Sequence, residues 1–183
     1  ISDGPMASTR DRLVGMYLEP LAPGPTGWVV QYGTLAREHV YALDKRTGRL
    51  LWNTTLQKAR GIAPARNEAA IPLVYGNRIF IGAAAAPVVT ALDLRSGRIL
   101  WQIPTEGAVK GGMVARDGIV YFGDLGGYLW AVDAKTGRVI GRKREDVHFN
   151  VGSPIIVNDS LVDGSLEGTV IALPLRWIRD AHD

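Results

Sequence analysis

The chain has 183 residues, 46% of them hydrophobic and 21% charged, a composition that fits a folded globular domain rather than a disordered chain. It has no apolar run near the ~20 residues of a membrane-spanning helix, and no cysteine, which excludes disulfides, thiolate metal sites and a cysteine nucleophile. The net charge of +3 is spread through turns, and the densest basic run, Arg142 to Arg144, is followed at once by Glu145 and Asp146, so no nucleic-acid-binding stripe is expected.

Residues 1–10 lack the basic-then-apolar layout of a signal peptide and read as an N-terminal extension. A first unit, over 11–56, has a Pro-rich front (LEPLAPGPTG, 18–27) and then the strand Val40 to Asp44. A second, 71–105, opens with IPLVYGNRIFIGA, two strands about a Gly-containing turn, and continues through Val89 to Asp93. The third, 111–145, repeats this with GMVARDGIVYFGD and Leu129 to Asp133. The fourth, 153–183, has SPIIVNDSLVDGS and Val170 to Leu173, but Pro174 stands where the other units have Asp.

Ala42, Ala91, Ala131 and Ala172 mark the same place in each unit, at spacings of 49, 40 and 41 residues. A period near forty with four short strands per unit is that of a propeller blade. After the third strand comes Asp-x-x-Thr/Ser-Gly: Asp44, Thr47 and Gly48, then Asp93, Ser96 and Gly97, then Asp133, Thr136 and Gly137. An Asp opening a turn accepts N–H bonds from residues just ahead, and Gly supplies the positive φ that closes the hairpin. Four residues past the Gly stand Trp52 and Trp101, with Gly141 in the third copy. A Trp laid against the neighbouring blade buries ~150–250 Å², worth roughly 4–6 kcal/mol as an upper bound.

The pattern A-x-D-x-x-T-G-x-x-x-W, preceded by G-x-V-Y-x-G, resembles the PQQ-type propeller repeat of quinoprotein alcohol dehydrogenases and BamB-like proteins, over about residues 28–173. The resemblance implies an all-β propeller of about four four-stranded antiparallel blades, half of an eight-bladed ring. Three closures are open: a piece of a longer propeller, a second copy completing the ring, or a small four-bladed ring. Open sheet edges invite association, and the Pro-rich 18–27 and the tail RWIRDAHD are expected to cover or pair them.

Nucleotide, serine-hydrolase and zinc-protease motifs are absent. His39, His148 and His182 have no ligand-like neighbours and read as surface or turn residues. Quinoprotein dehydrogenases resembling this repeat use PQQ with calcium and a vicinal Cys pair; the pair is missing, so no cofactor is expected, with PQQ and calcium as the alternative. The expected role is a non-catalytic scaffold, periplasmic or otherwise extracytoplasmic, presenting loops to a protein partner or ligand; the alternative is part of a larger dehydrogenase-like or sensor protein. Loops on a stiff disc carry such sites. The candidates are Arg66, Asn67 and Glu68 in the long first inter-blade loop, then Lys110, Asp124, Tyr128, His148 and Asn150. The first loop is singled out because the 49-residue spacing is expected to place its extra residues there.

Overall fold

The computed structural model describes residues 5–21, 35–60, 70–83, 86–149 and 152–182. Four antiparallel sheets follow one another along the chain, each in simple sequence order. The first holds β1 (Ala7–Ser8), β2 (Arg12–Pro20), β3 (Leu35–Asp44) and β4 (Leu50–Arg60). The second holds β5 (Leu73–Tyr75), β6 (Arg78–Gly82), β7 (Val88–Asp93) and β8 (Ile99–Pro104). The third holds β9 (Val114–Arg116), β10 (Ile119–Gly123), β11 (Tyr128–Asp133) and β12 (Val139–Arg144). The fourth has three strands, β13 (Ile155–Val157), β14 (Ser160–Gly164) and β15 (Val170–Pro174), and then the short helix α1 (Leu175–Arg179).

The repeat turns form as their chemistry dictates. Asp44 Oδ1 accepts from the backbone N–H of Arg46 (3.1 Å) and Thr47 (2.7 Å) and from the Thr47 hydroxyl (2.7 Å). Asp93 makes the same three bonds with Arg95 and Ser96, and Asp133 with Lys135 and Thr136. These bonds, the hydroxyl first, hold all three carboxyls below the usual range. Gly48, Gly97 and Gly137 have φ of +71°, +71° and +76°, which only Gly adopts without strain.

Trp52 and Trp101 bind the first blade to the second and the second to the third. The Trp52 indole N–H donates to the Leu94 carbonyl (3.2 Å), and the Thr54 hydroxyl donates to the Gly97 carbonyl (2.7 Å). Trp101 likewise donates to the Ala134 carbonyl (3.4 Å). Three apolar clusters join the first sheet to the second, the second to the third and the third to the fourth. Among the described residues no such cluster joins the fourth sheet to the first.

Several expectations are corrected. The extension 1–10 contributes β1, whose Ala7 and Ser8 pair with Val14 and Leu13, so the first blade takes its innermost strand from ahead of residue 11. The extra length in the first repeat lies partly in a strand, since β4 has 11 residues where β8 and β12 have 6. The fourth unit is not four-stranded, because Pro174 ends β15 and α1 takes the outer position. Gly141 is what admits it: a Cβ there would stand 2.3 Å from the carbonyl oxygens of Ile178 and Arg179, so a Trp would collide with the helix. The chain end then runs beside β12, with the Arg142 N–H donating to the Ala181 carbonyl (2.9 Å), and covers that outer edge.

The four sheets form a partial propeller, with apolar side chains of the fourth sheet exposed. Val40, Val89 and Leu129, each two residues before the shared Ala, are 0%, 0% and 1% exposed, whereas Val170 at the same place in the fourth sheet is 73% exposed. Ile155 and Val157, in the same sheet, are exposed as well.

A candidate binding face

Antiparallel order puts the β2–β3, β6–β7, β10–β11 and β14–β15 connections at one end of the sheets, together with the links between sheets. The Asp–Gly turns lie at the opposite end. The sequence candidates among the described residues all fall on the first, the loop face. Arg66, Asn67, Glu68 and Asn150 lie outside the described residues, as does most of 18–27.

Asp124, just past β10, is fully buried and holds this face together. Its Oδ2 accepts from the Trp130 indole N–H (2.9 Å) and the N–H groups of Glu106 (3.1 Å) and Gly107 (3.2 Å), while Oδ1 accepts from the Tyr128 N–H (3.0 Å). A buried carboxylate with four donors is charge-compensated without any ligand. Gly107 is needed here, since a Cβ would stand 2.2 Å from the Gly126 nitrogen. Lys110 is also buried, next to Val109 in the same link. These two candidates are parts of the loop framework.

Tyr128 lies outward of this framework, half-buried at the start of β11. The Arg142 guanidinium sits 5.1 Å from its ring centre and 5.4 Å from that of Trp130, and Arg144 sits 5.9 Å from Tyr128. Arg142 also pairs with Glu106 at 2.5 Å. Stacked guanidinium and aromatic groups form a surface that accepts carboxylates and planar side chains.

His148 is exposed, with its ring Nδ1 2.6 Å from Glu167 Oε1 and its backbone N–H donating to Oε2 (3.0 Å). These contacts, the backbone bond first, hold the Glu167 carboxyl down at about 2. Asp163, at the end of β14, is buried with the Gly164 N–H as donor (2.9 Å), and burial pushes its carboxyl up to about 6.

Sequence reading missed a second polar group. His39 is a buried strand residue on the outer face of the first sheet, not a surface or turn one. It stacks on Tyr17 at 4.6 Å and 4°, meets Glu19 Oε2 at 3.0 Å through Nε2 and faces the Thr55 hydroxyl at 3.3 Å through Nδ1. Glu19 also binds Arg37 (3.1 Å), and its carboxyl is lowered, first by the His39 hydrogen bond. The register Tyr17↔His39 and His39↔Thr55 puts all three on one face, a signal readable only once the strand pairing is known.

A family model described as outer membrane protein assembly factor BamB matches residues 23–176. The chain belongs to that family. BamB from Moraxella catarrhalis superposes with a TM-score of 0.63 at 21% identity, covering 97% of this chain and 59% of its own. A europium-containing methanol dehydrogenase gives 0.67 at 14% identity, over 96% and 40%. The tetrathionate hydrolase of Acidithiobacillus ferrooxidans (strain ATCC 23270 / DSM 14882 / CIP 104768 / NCIMB 8455) is 27% identical over 144 residues, 76% of this chain and 28% of that protein. The chain thus spans 28% of the length of this curated relative and 59% of the BamB structure. Family and structures together establish the PQQ-type propeller repeat.

No three His, Asp or Glu side chains among the described residues converge on a metal position, and Asp124, buried beneath the loop face, is hydrogen-bonded to backbone and indole donors. No helix among them is long and apolar enough to cross a membrane.

Proposed function

We propose that this chain is a non-catalytic propeller scaffold of the bacterial envelope, presenting its loop face to a protein partner. The observation that carries the reading is the layered build of that face. Asp124 and Lys110 are buried in its framework, while Tyr128, Arg144 and the His148–Glu167 pair lie outward of it. A rigid base below accessible aromatic and charged groups is the anatomy of a protein-binding surface. Arg66, Asn67, Glu68 and Asn150, the remaining candidates from the sequence, are proposed as part of the same surface. Membership of the BamB family supports the envelope location.

A photo-crosslinker at position 144 in living bacteria tests this. One discrete protein adduct is expected there and none from position 135 on the turn face. Equal adducts from both positions, or none from either, overturn the reading.

The open face at Val170 needs blades of the same kind. A second copy supplies them in this proposal, and solution mass measured by light scattering distinguishes it from blades carried by a longer chain. The dehydrogenase-like alternative predicts quinone absorbance retained after PQQ and calcium are added and the protein is desalted.

A further inference from the structure

The replacement of a fourth strand by α1 leaves a cavity of about 460 Å³ on the turn face, between the third and fourth sheets. At the two earlier blade junctions a Trp packs on the next blade's Asp–Gly turn. Gly137 is so covered, a Cβ there meeting Trp101 at 2.7 Å. In the fourth unit the turn is missing and Gly141 stands in the place of the Trp. Pro174, Leu175, Arg176 and Arg179 line the resulting space from one side.

The opposite wall is β9 and β10. Tyr121 occupies the place that Phe80 has in the second sheet, each pairing with the shared Ala of its own sheet. Its ring is buried, and it shares the cavity lining with Arg179. Arg116 lies at the rim, bonded to the Asn158 carbonyl and 3.4 Å from Asp159. That partner and Asp117 offset part of its charge. Arg176 and Arg179 have no carboxylate partner among the described residues, so the cavity keeps a positive excess. Ile119 and Leu175 give it an apolar side.

We propose that this cavity binds a small organic anion, an apolar body carrying one phosphate or carboxylate group. Guanidinium forks recognise such groups bidentately, the phenol supplies a further donor, and the volume is within the range of small-molecule sites. The site is independent of the loop face and of ring completion.

Calorimetric titration at physiological salt with phenyl phosphate, inorganic phosphate and phenol tests it. Phenyl phosphate binds saturably, inorganic phosphate at least tenfold more weakly, and phenol not at all. The double variant R176Q/R179Q loses at least tenfold in affinity, while R144Q, which removes the same kind of charge on the loop face, retains it. Equal binding of inorganic and phenyl phosphate overturns the organic character of the ligand. Absence of binding to the wild-type chain, or unchanged affinity in R176Q/R179Q, overturns the site. If the double variant fails to fold, Y121F reads the same contact, with an expected loss of about threefold; an unchanged affinity there likewise counts against the site.

Discussion

Trp52 lies flat on the backbone of Gly97, so close that a Cβ at Gly97 would stand 2.5 Å from the indole. The repeat glycine therefore answers two requirements at once: a positive φ for its own turn, and a bare surface for the preceding blade's Trp.

That double demand separates two otherwise identical turns. Gly97 and Gly48 share a φ of +71°, but nothing lies within 4 Å of a Cβ built at Gly48. Gly48→Ala should cost about 1 kcal/mol from backbone strain alone. Gly97→Ala adds overpacking, for about 2–4 kcal/mol in all. Urea unfolding of the two variants reads the difference, and equal losses would refute the packing role.

Restoring the repeat consensus in the third unit should harm the protein. Gly141→Trp places an indole where the carbonyls of Ile178 and Arg179 now lie. Displacing α1 uncovers Ile178, which is fully buried. The expected loss is about 3 kcal/mol or more, with α1 and residue 182 losing protection in hydrogen exchange. A variant as stable as the parent would mean that α1 is not fixed by packing at Gly141.

Asp124→Ala should cost about 3 kcal/mol, since four donors lose a charged acceptor inside the fold. Asp124→Asn keeps the shape and should lose less. Thermal unfolding orders the series: wild type, Asn, Ala.

Val170→Asp changes an exposed side chain, so the stability of the single chain should move by no more than about 0.5 kcal/mol. Its association should not survive, because the charge lies on the face that a further blade must bury. Light scattering over a concentration series checks this; undiminished association would place the contact elsewhere.

Acid and neutral pH should act in opposite directions on two carboxyls. The Asp163 carboxyl is raised to about 6, so the folded chain holds a proton there that the unfolded chain has released. Its contribution is therefore fully present below about pH 4 and is lost as pH rises through about 6. Asp163→Asn should remove this slope and stabilise the chain at pH 7 by about 2 kcal/mol. Glu167, held at about 2, has the reverse sign: its contribution is present above the usual carboxylate range and is lost as pH falls toward 2. Urea midpoints from pH 3 to 8 for wild type and Asp163→Asn separate the two.

The candidate face was only partly legible from the sequence. Tyr128, Asp124 and His148 were recognisable as loop-end residues because hairpin spacing fixes which residues flank a connection. That Asp124 is buried while His148 is exposed follows from the neighbouring link 105–108 lying over the 124–127 turn, a contact between separate units. The His39–Tyr17–Glu19 group was invisible for a similar reason, since its members lie on two strands joined through the Pro-rich region.

By itself the sequence determined the propeller repeat, the Asp–Gly turns and the Trp between blades, because each rests on local chemistry: alternation along a strand, donors within three residues of an Asp, and a glycine at positive φ. The tertiary structure alone decided that the fourth unit ends in a helix, that Gly141 makes room for it, that a cationic cavity opens beneath Tyr121 and that Val170 is left uncovered. Those features depend on which surfaces meet across blades, and the volume one side chain leaves to another is not written in either segment alone.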